Sequence, residues 1–324
     1  MISGCGMSKK RGNRRVITLR APAKINLGLR ILGRRPDGYH DIVSLMVPVG
    51  LFDTVRVESA PGGIELICPD SDLPTDPRNL VHRAAQVILL ECGSDAGVRL
   101  ELRKRIPVGA GLGGGSSDAA TTLKGVNELL GLRLRNEDLH RLAVTLGADV
   151  PFFLLGGAAL AEGVGDCLTP VAAMPAVWTM LVYPGFQVST GWAYEHLTLT
   201  SMVNDSILNT PGATAAGEAT AYRRRLFGSR CSTLEGLLPL LVNDFEPLVF
   251  SHYPQLAKIR QALLAAGARA APMTGSGPTL VGLFASEGVA QAAHDQVSSM
   301  PGIKSFVVPT VAGGTSRDAA VDKA

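Results

Sequence analysis

The sequence predicts an α+β protein of two successive domains, and three observations carry that reading. Apolar alternations of strand type cluster at Val16 to Leu19, Ile25 to Ile31 and Ile42 to Val57, ahead of any helical pattern. Five glycines then crowd into the seven positions from Gly109 to Gly115, directly before an amphipathic stripe. After Pro170 the pattern of strand, turn, helix and strand begins afresh. The expected domains are residues 15–170 and 171–311, flanked by tails at 1–14 and 312–324 whose basic or small polar composition reads as flexible.

In the first half, Val98 to Leu102 and Ala158 to Ala161 add strands to the early alternations, giving a largely antiparallel sheet mixed with helices. Helices are expected over Leu80 to Glu91, Asp118 to Leu130 and Asn136 to Leu146. In the second of these, Ala119, Leu123, Val126 and Leu130 repeat at steps of four, three and four, and Gly131 supplies a left-handed cap. Gly147 ends the third helix, and Pro151 can open another. In the second half, a strand at Val177 to Tyr183 leads to a turn at Pro184-Gly185. A helix at Gln255 to Ala266, capped by Gly267, precedes a strand at Thr279 to Phe284. The stretch Asn204 to Ser232, rich in Ala, Thr, Gly and Ser with a basic patch at Arg223 to Arg225, reads as a mobile excursion.

Composition excludes several classes. The chain has 324 residues, 46% hydrophobic and 18% charged, which is ordinary for a globular protein and rules out disorder or coiled coil for its bulk. A net charge of +3, with Lys9, Lys10, Arg11, Arg14 and Arg15 gathered at one end, does not indicate a nucleic-acid surface. Cys5, Cys68, Cys92, Cys167 and Cys231 are odd in number and form no CxxC pair, so neither a disulfide framework nor a zinc site is expected. No run approaches the roughly 20 apolar residues of a membrane span. A cytoplasmic protein without membrane partners, monomeric or a weak homodimer, is the expectation.

The run from Pro107 to Asp118 has the character of a phosphate cradle. Glycines let backbone N–H groups curl toward an anion, and the helix that follows adds its unpaired donors and the positive end of its dipole. It is not a Walker A loop, because Gly114 is followed by Gly115 and Ser116, with no lysine before Lys124. Gly109, Gly111 and Gly114 satisfy a dinucleotide fingerprint, but the upstream strand alternates and so is half exposed, whereas that fold buries its first strand on both faces. Where that fold also wants a ribose-binding acid, the chain offers the helix at Asn136. Ser116, Ser117 and Asp118 could cap the helix, and a serine hydroxyl there could equally reach a nucleotide-bound metal.

Three more clusters accompany the loop. Lys24 and Asn26, two apart in an apolar alternation, share one strand face, and Arg34, Arg35, Asp37, Tyr39 and His40 follow. A lone lysine so placed would be read as solvent-facing. Asp149 precedes Pro151, where an N-cap is a strong alternative to a catalytic acid. Met273 to Leu280 makes a second glycine turn into a strand, which alone is only a tight connection.

Together these residues resemble the GHMP kinase superfamily and, within it, the 4-diphosphocytidyl-2-C-methyl-D-erythritol kinase family. The resemblance runs from Ala21 to Phe284. It is carried by the APAKINLGLRILGRRPDGYHDIVSLM segment, the PVGAGLGGGSSDAA loop, GADVPFF, AEGVGD, Asn243 to Pro247 and MTGSGPTL. It implies a two-domain GHMP kinase fold, with a mixed N-terminal sheet and a ferredoxin-like C-terminal α/β sandwich. It also implies transfer of the γ-phosphoryl group of ATP to the 2-hydroxyl of a substrate carrying a cytidine diphosphate group. On this mapping Asp149 is the base and Lys24 stands between it and the acceptor. Pro107, Val108, Gly109, Ala110, Gly111, Leu112, Gly113, Gly114, Gly115, Ser116 and Ser117 wrap ATP. Mg²⁺ is held mainly by phosphate and water, with Ser117 the candidate protein ligand. Tyr39 takes one face of the cytosine, His40 its edge, and Asn26 lies near the polar substrate. Tyr194, ahead of Phe186 and Trp192, supplies the second aromatic wall. Gly275, Ser276 and Gly277 support the substrate phosphates, and Pro278 removes one N–H donor from that turn. The rivals are a GHMP kinase for homoserine, mevalonate or a sugar, a dinucleotide oxidoreductase, and a non-catalytic nucleotide-binding protein of the same fold.

Overall fold

A computed structural model of the protein describes residues 15–172, 174–197, 215–227 and 232–311. The expected terminal tails at 1–14 and 312–324 lie outside these residues.

Two long strands, β1 (Val16–Arg34) and β2 (His40–Ala60), form an antiparallel hairpin that organises the first sheet. Along its other edge, β2 pairs with β4 (Gly97–Arg103) through residues 54–60 and with β5 (Ala159–Gly163) through residues 42–46. The short strands β3 (Ile64–Ile67) and β6 (Cys167–Pro170) close the two ends, and β3 with β4 is the sheet's parallel pair among the described residues. The predicted strands at 16–19 and 25–31 are one strand. Its register slips between Pro22 and Ala23, between Asn26 and Leu29, and between Ile31 and Gly33, so bulges bend β1 without ending it.

The helices follow their apolar spacing. In α1 (Leu80–Glu91), Val81, Ala84, Ala85, Ile88 and Leu89 are buried, and Asn79 caps the start by accepting from Val81 N–H at 3.0 Å. α3 (Asn136–Leu146) buries Leu139, Leu142, Ala143 and Leu146. Both spans agree with the sequence. α2 does not begin at Asp118: it covers Gly114–Leu130, with Gly113 at the N-cap and no side-chain cap hydrogen bond. Its first turn holds glycines and serines that leave no apolar stripe to read, and none of Ser116, Ser117 and Asp118 caps it. Gly131 does end it, at φ 64°.

The second sheet contains β7 (Trp178–Tyr183), β8 (Leu280–Phe284) and β9 (Lys304–Pro309) in the order β8-β7-β9, all antiparallel. Ala270 and Met273 bridge to β8 on its far side, in antiparallel sense. After the short α7 (Leu234–Leu237), with α8 (Glu246–His252), α9 (Gln255–Ala265) and α10 (Glu287–Val297) as crossovers, the chain traces β-α-β-β-α-β, the ferredoxin-like plan. Met180 and Val182 face α9 and α10, whereas Leu181 points the other way, into a cluster with Ala23, Ile25, Leu27, Val281 and Leu283. The layers therefore run helix, sheet, sheet, helix, with one buried seam between the sheets.

The stretch Asn204 to Ser232 is not simply an excursion. Residues 204–214 and 228–231 lie outside the described residues, but α6 (Ala215–Leu226) is a helix docked on β1. Tyr222 and Leu226 are buried, and the Tyr222 hydroxyl donates to Leu27 O at 3.1 Å. Arg223 of the supposed basic patch forms an ion pair with Glu162. A polar composition hid a helix held by two apolar anchors. Among the described residues, no helix is long and apolar enough to cross a membrane.

Candidate active site

The site forms where β1 passes the glycine loop. Ala23, Ile25 and Leu27 enter the seam between the sheets, so alternation turns Lys24 and Asn26 to the opposite face, as the sequence predicts. Both are 5% exposed, which overturns the solvent-facing alternative for the lysine. Burial of an ammonium requires partners. Lys24 Nζ donates to Asn26 Oδ1 at 2.7 Å and lies 3.3 Å from Asp149 Oδ2.

Asp149 occupies the N-cap position of α4 (Val150–Leu155), which Pro151 helps to open. Its carboxylate makes no cap hydrogen bond. Lys24 takes it instead, and the side chain stays 38% exposed, open to a ligand.

The glycine loop is anchored by its apolar members. Ala110 and Leu112 are buried in the seam, while Val108 and Gly109 are exposed. Leu112 O accepts from Lys24 N–H at 2.9 Å, tying the loop to the strand that carries the lysine. Ala110 O accepts from Thr279 Oγ1 at 2.7 Å, tying it to the second glycine turn. The loop from Pro107 to Ser116 lines a cavity of about 320 Å³ whose other walls include Leu73, Pro74, Asn79, Lys104 and Asp118. Ser117 does not share that role: its N–H already bonds Gly113 O at 2.9 Å inside the helix, and the residue is fully buried. The first four N–H groups, those of Gly113, Gly114, Gly115 and Ser116, are the ones an α-helix leaves without an internal partner. Ser117 Oγ is buried with no hydrogen-bond partner, a neutral donor suited to a hard cation. No group of three or more His, Cys, Asp and Glu that could hold a metal occurs among the described residues.

The second turn is held from below. Asn243 Nδ2 donates to Met273 O at 2.7 Å and to Gly275 O at 2.8 Å, and Glu246 Oε1 accepts from Met273 N–H at 2.8 Å. Thr274 Oγ1 accepts from Asn26 N–H at 2.8 Å, which brings the turn to the lysine strand. Ser276 Oγ lies 2.9 Å from Thr190 Oγ1, on α5 (Thr190–Glu195). Gly277 O abuts Gly111, where an added Cβ would lie 2.7 Å away. Sequence reasoning gave no role to Thr274, Asn243 or Glu246. The Asn243 to Pro247 run marked the resemblance, but nothing local revealed what it supports.

On the far side, Tyr39 is 66% exposed after a turn in which Asp37 accepts from its N–H. The His40 ring stacks on Tyr194 with centroids 5.0 Å apart, and Tyr194 meets Phe245 edge-on at 4.9 Å. Tyr194 is thus packed against His40. Burial, and then the charge of Asp149, pushes the Tyr194 phenol up to about 12, so it stays protonated. Burial and the nearby Arg34 lower the His40 pKa. Phe186 stacks on Tyr253, and Trp192 packs among His196, His252 and Tyr253, so both rings meet Tyr253 where Tyr194 meets His40. Beneath the cradle, Lys104 bridges Asp53 and Asp118, a charge cluster the sequence did not reveal.

A glycine cradle, a buried lysine paired with a half-open aspartate, and a ferredoxin-like second half define a GHMP kinase. Family profiles agree: the GHMP kinases N terminal domain matches residues 79–157 and the GHMP kinases C terminal domain residues 230–302. A 4-diphosphocytidyl-2-C-methyl-D-erythritol kinase from a Geobacter species is 42% identical over 296 residues, 91% of this chain and 99% of the relative. Its counterpart from Geobacter metallireducens is 43% identical over 284 residues, 87% of this chain and 94% of the relative. A crystal structure of 4-(cytidine 5'-diphospho)-2C-methyl-D-erythritol kinase superposes with a TM-score of 0.76 at 36% identity, covering 92% of this chain and 100% of that one. The chain belongs to the 4-diphosphocytidyl-2-C-methyl-D-erythritol kinase family. A homoserine kinase from Cytophaga hutchinsonii, with a TM-score of 0.70 at 21% identity over 96% of this chain and 98% of that one, shares the fold.

Proposed function

We propose that the protein transfers the γ-phosphoryl group of ATP to the 2-hydroxyl of 4-diphosphocytidyl-2-C-methyl-D-erythritol in the non-mevalonate route to isoprenoid precursors. The observation that carries this reading is the Lys24–Asp149 pair, 3.3 Å apart, on a strand whose backbone is bonded to the glycine loop. Phosphoryl transfer through a loose transition state needs alignment and charge neutralisation, plus a base for the hydroxyl proton. Asp149 accepts that proton as the acceptor oxygen bonds the γ-phosphorus and the bond to the β-phosphate oxygen breaks, releasing ADP. The Lys24 ammonium, desolvated and fixed by Asn26, offsets negative charge on the transferring group.

The loop from Pro107 to Ser116 receives the ATP phosphates through the open N–H groups at the start of α2, and the adjoining cavity takes the nucleoside. Mg²⁺ would be held by phosphate oxygens and water with Ser117 Oγ as the protein ligand, and it would supply charge neutralisation. Tyr39 offers its exposed ring to the cytosine, His40 addresses its edge, and Tyr194 backs His40. Asn26, near the polar substrate, holds Lys24 through its amide oxygen and is itself held by Ser44. Gly275, Ser276 and Gly277 face the substrate phosphates. Residues 15–170 form the ATP-binding and catalytic domain and 171–311 the substrate-side domain of a cytoplasmic monomer or weak homodimer.

The test is ADP release by Asp149→Asn at saturating substrates. We expect kcat to fall by roughly 10² or more, as removal of a general base requires, with both KM values and the melting temperature little changed. An unchanged kcat in a folded variant would remove Asp149 from the chemistry.

A further inference from the structure

We infer that Ser44 is a positioning residue for the phosphoryl transfer, setting the polarity of a buried hydrogen-bond relay that aims Lys24. The inference rests on the reading of Lys24 and Asp149 as the reacting pair.

The relay crosses the β1–β2 hairpin where its register slips, between Asn26 and Leu29. Ser44 Oγ donates to Gly28 O at 2.7 Å. Asn26 Nδ2 donates to Ser44 Oγ at 2.7 Å, and Asn26 Oδ1 accepts from Lys24 Nζ at 2.7 Å. Ser44 is fully buried and Lys24 and Asn26 nearly so, which keeps bulk solvent from competing for these bonds.

The direction of every bond follows from the inventory of donors. A carbonyl can only accept, so the single Ser44 proton goes to Gly28 O. The Ser44 lone pairs then require a donor from Asn26, and only the amide nitrogen provides one. That choice turns the amide oxygen toward the lysine. The reversed amide would set an N–H₂ group against an ammonium, donor against donor in a low-dielectric site. Asn26 N–H is itself fixed by Thr274 Oγ1 at 2.8 Å, so the backbone beneath the amide does not drift. Ser44 is not among the residues that line the cavity beside the glycine loop; it works through Asn26 on the lysine.

The experiment compares Ser44→Ala, Ser44→Thr and Asp149→Asn by steady-state ADP release. Ser44→Ala is expected to lower kcat about tenfold or more, because misplacement of a catalytic group by about 1 Å has effects of that order. KM for ATP and for the acceptor should stay within about twofold, since the relay supports the transition state rather than ground-state binding. Ser44→Thr, which keeps the hydroxyl, should restore kcat. In a Lys24→Met background, Ser44→Ala should add no further loss, because residues acting through one another are not additive. A folded Ser44→Ala with wild-type kcat, or one that loses the same factor without Lys24, would overturn the inference. If Ser44→Ala does not fold, Ser44→Cys keeps the volume, weakens both bonds, and carries the same expectation. Wild-type kcat in Asp149→Asn would instead bring down the underlying reading.

Discussion

Gly111→Ala tests whether the two glycine turns are interlocked as the structure draws them. Gly111 has φ +77°, and a Cβ there would stand 2.7 Å from Gly277 O, a backbone atom. That turn cannot easily retreat: Asn243 holds it through Met273 O and Gly275 O, and Thr279 ties its far end to Ala110. Left-handed backbone costs alanine about 1–2 kcal/mol, and forcing a methyl into packed structure adds about 1–3 kcal/mol, so the variant should lose about 2–5 kcal/mol. Gly131→Ala is the control. Its φ is +64° and nothing lies within 4 Å of the added Cβ, so it should lose only the backbone part, about 1–2 kcal/mol. Denaturant unfolding of both variants gives the difference, and titration with ATP gives its functional share. The loop of Gly111→Ala should bind ATP at least about tenfold more weakly, equivalent to about 1.4 kcal/mol, whereas Gly131→Ala should bind normally. Equal stability losses and equal affinities would refute the interlock.

Two predictions concern pH. Burial, with Asp53 adding its charge against the pull of Lys104, pushes the Asp118 carboxyl up from 3.8 to about 7. Between those values the folded chain keeps a proton that the unfolded chain releases, so this contribution to stability is complete at low pH and is lost as pH rises through about 7. Asp118→Asn, neutral throughout, should flatten that slope in a melting-temperature profile; parallel profiles would contradict it. The His40 pKa is lowered by burial and by Arg34, so acceptor KM should hold steady from alkaline pH down through the ordinary histidine range near 6.5 and rise only below it. Arg34→Gln should move that acid limb upward, and an unmoved limb would remove Arg34 from the balance.

Local patterns in the sequence revealed what local physics determines. Period-two alternation alone placed Lys24 and Asn26 on one face of β1. The apolar stripes of α1 and α3 located both helices, because those stripes extend to the helix ends. The start of α2 was hidden because its first turn consists of glycine and serine, which leave no apolar stripe to read. α6 was hidden by Ala, Thr and Arg around its buried Tyr222, and α10 by small residues, Ala290 and Ala293, in its buried stripe. The supports of the site lie further from sequence reach. Asn26 meets Thr274 across 248 positions, Lys104 meets Asp53 across 51, and no periodicity encodes such pairs. The motif residues were legible; the scaffold that aims them exists only once the sheets have packed.

The most direct measurement of the central claim is ADP release with Mg·ATP and four acceptors: 4-diphosphocytidyl-2-C-methyl-D-erythritol, its analogue without the cytidyl group, mevalonate and homoserine. The account predicts turnover with the cytidyl compound alone, lowered by roughly 10² or more in Asp149→Asn. Turnover with mevalonate or homoserine, or equal turnover without the cytidyl group, would contradict it.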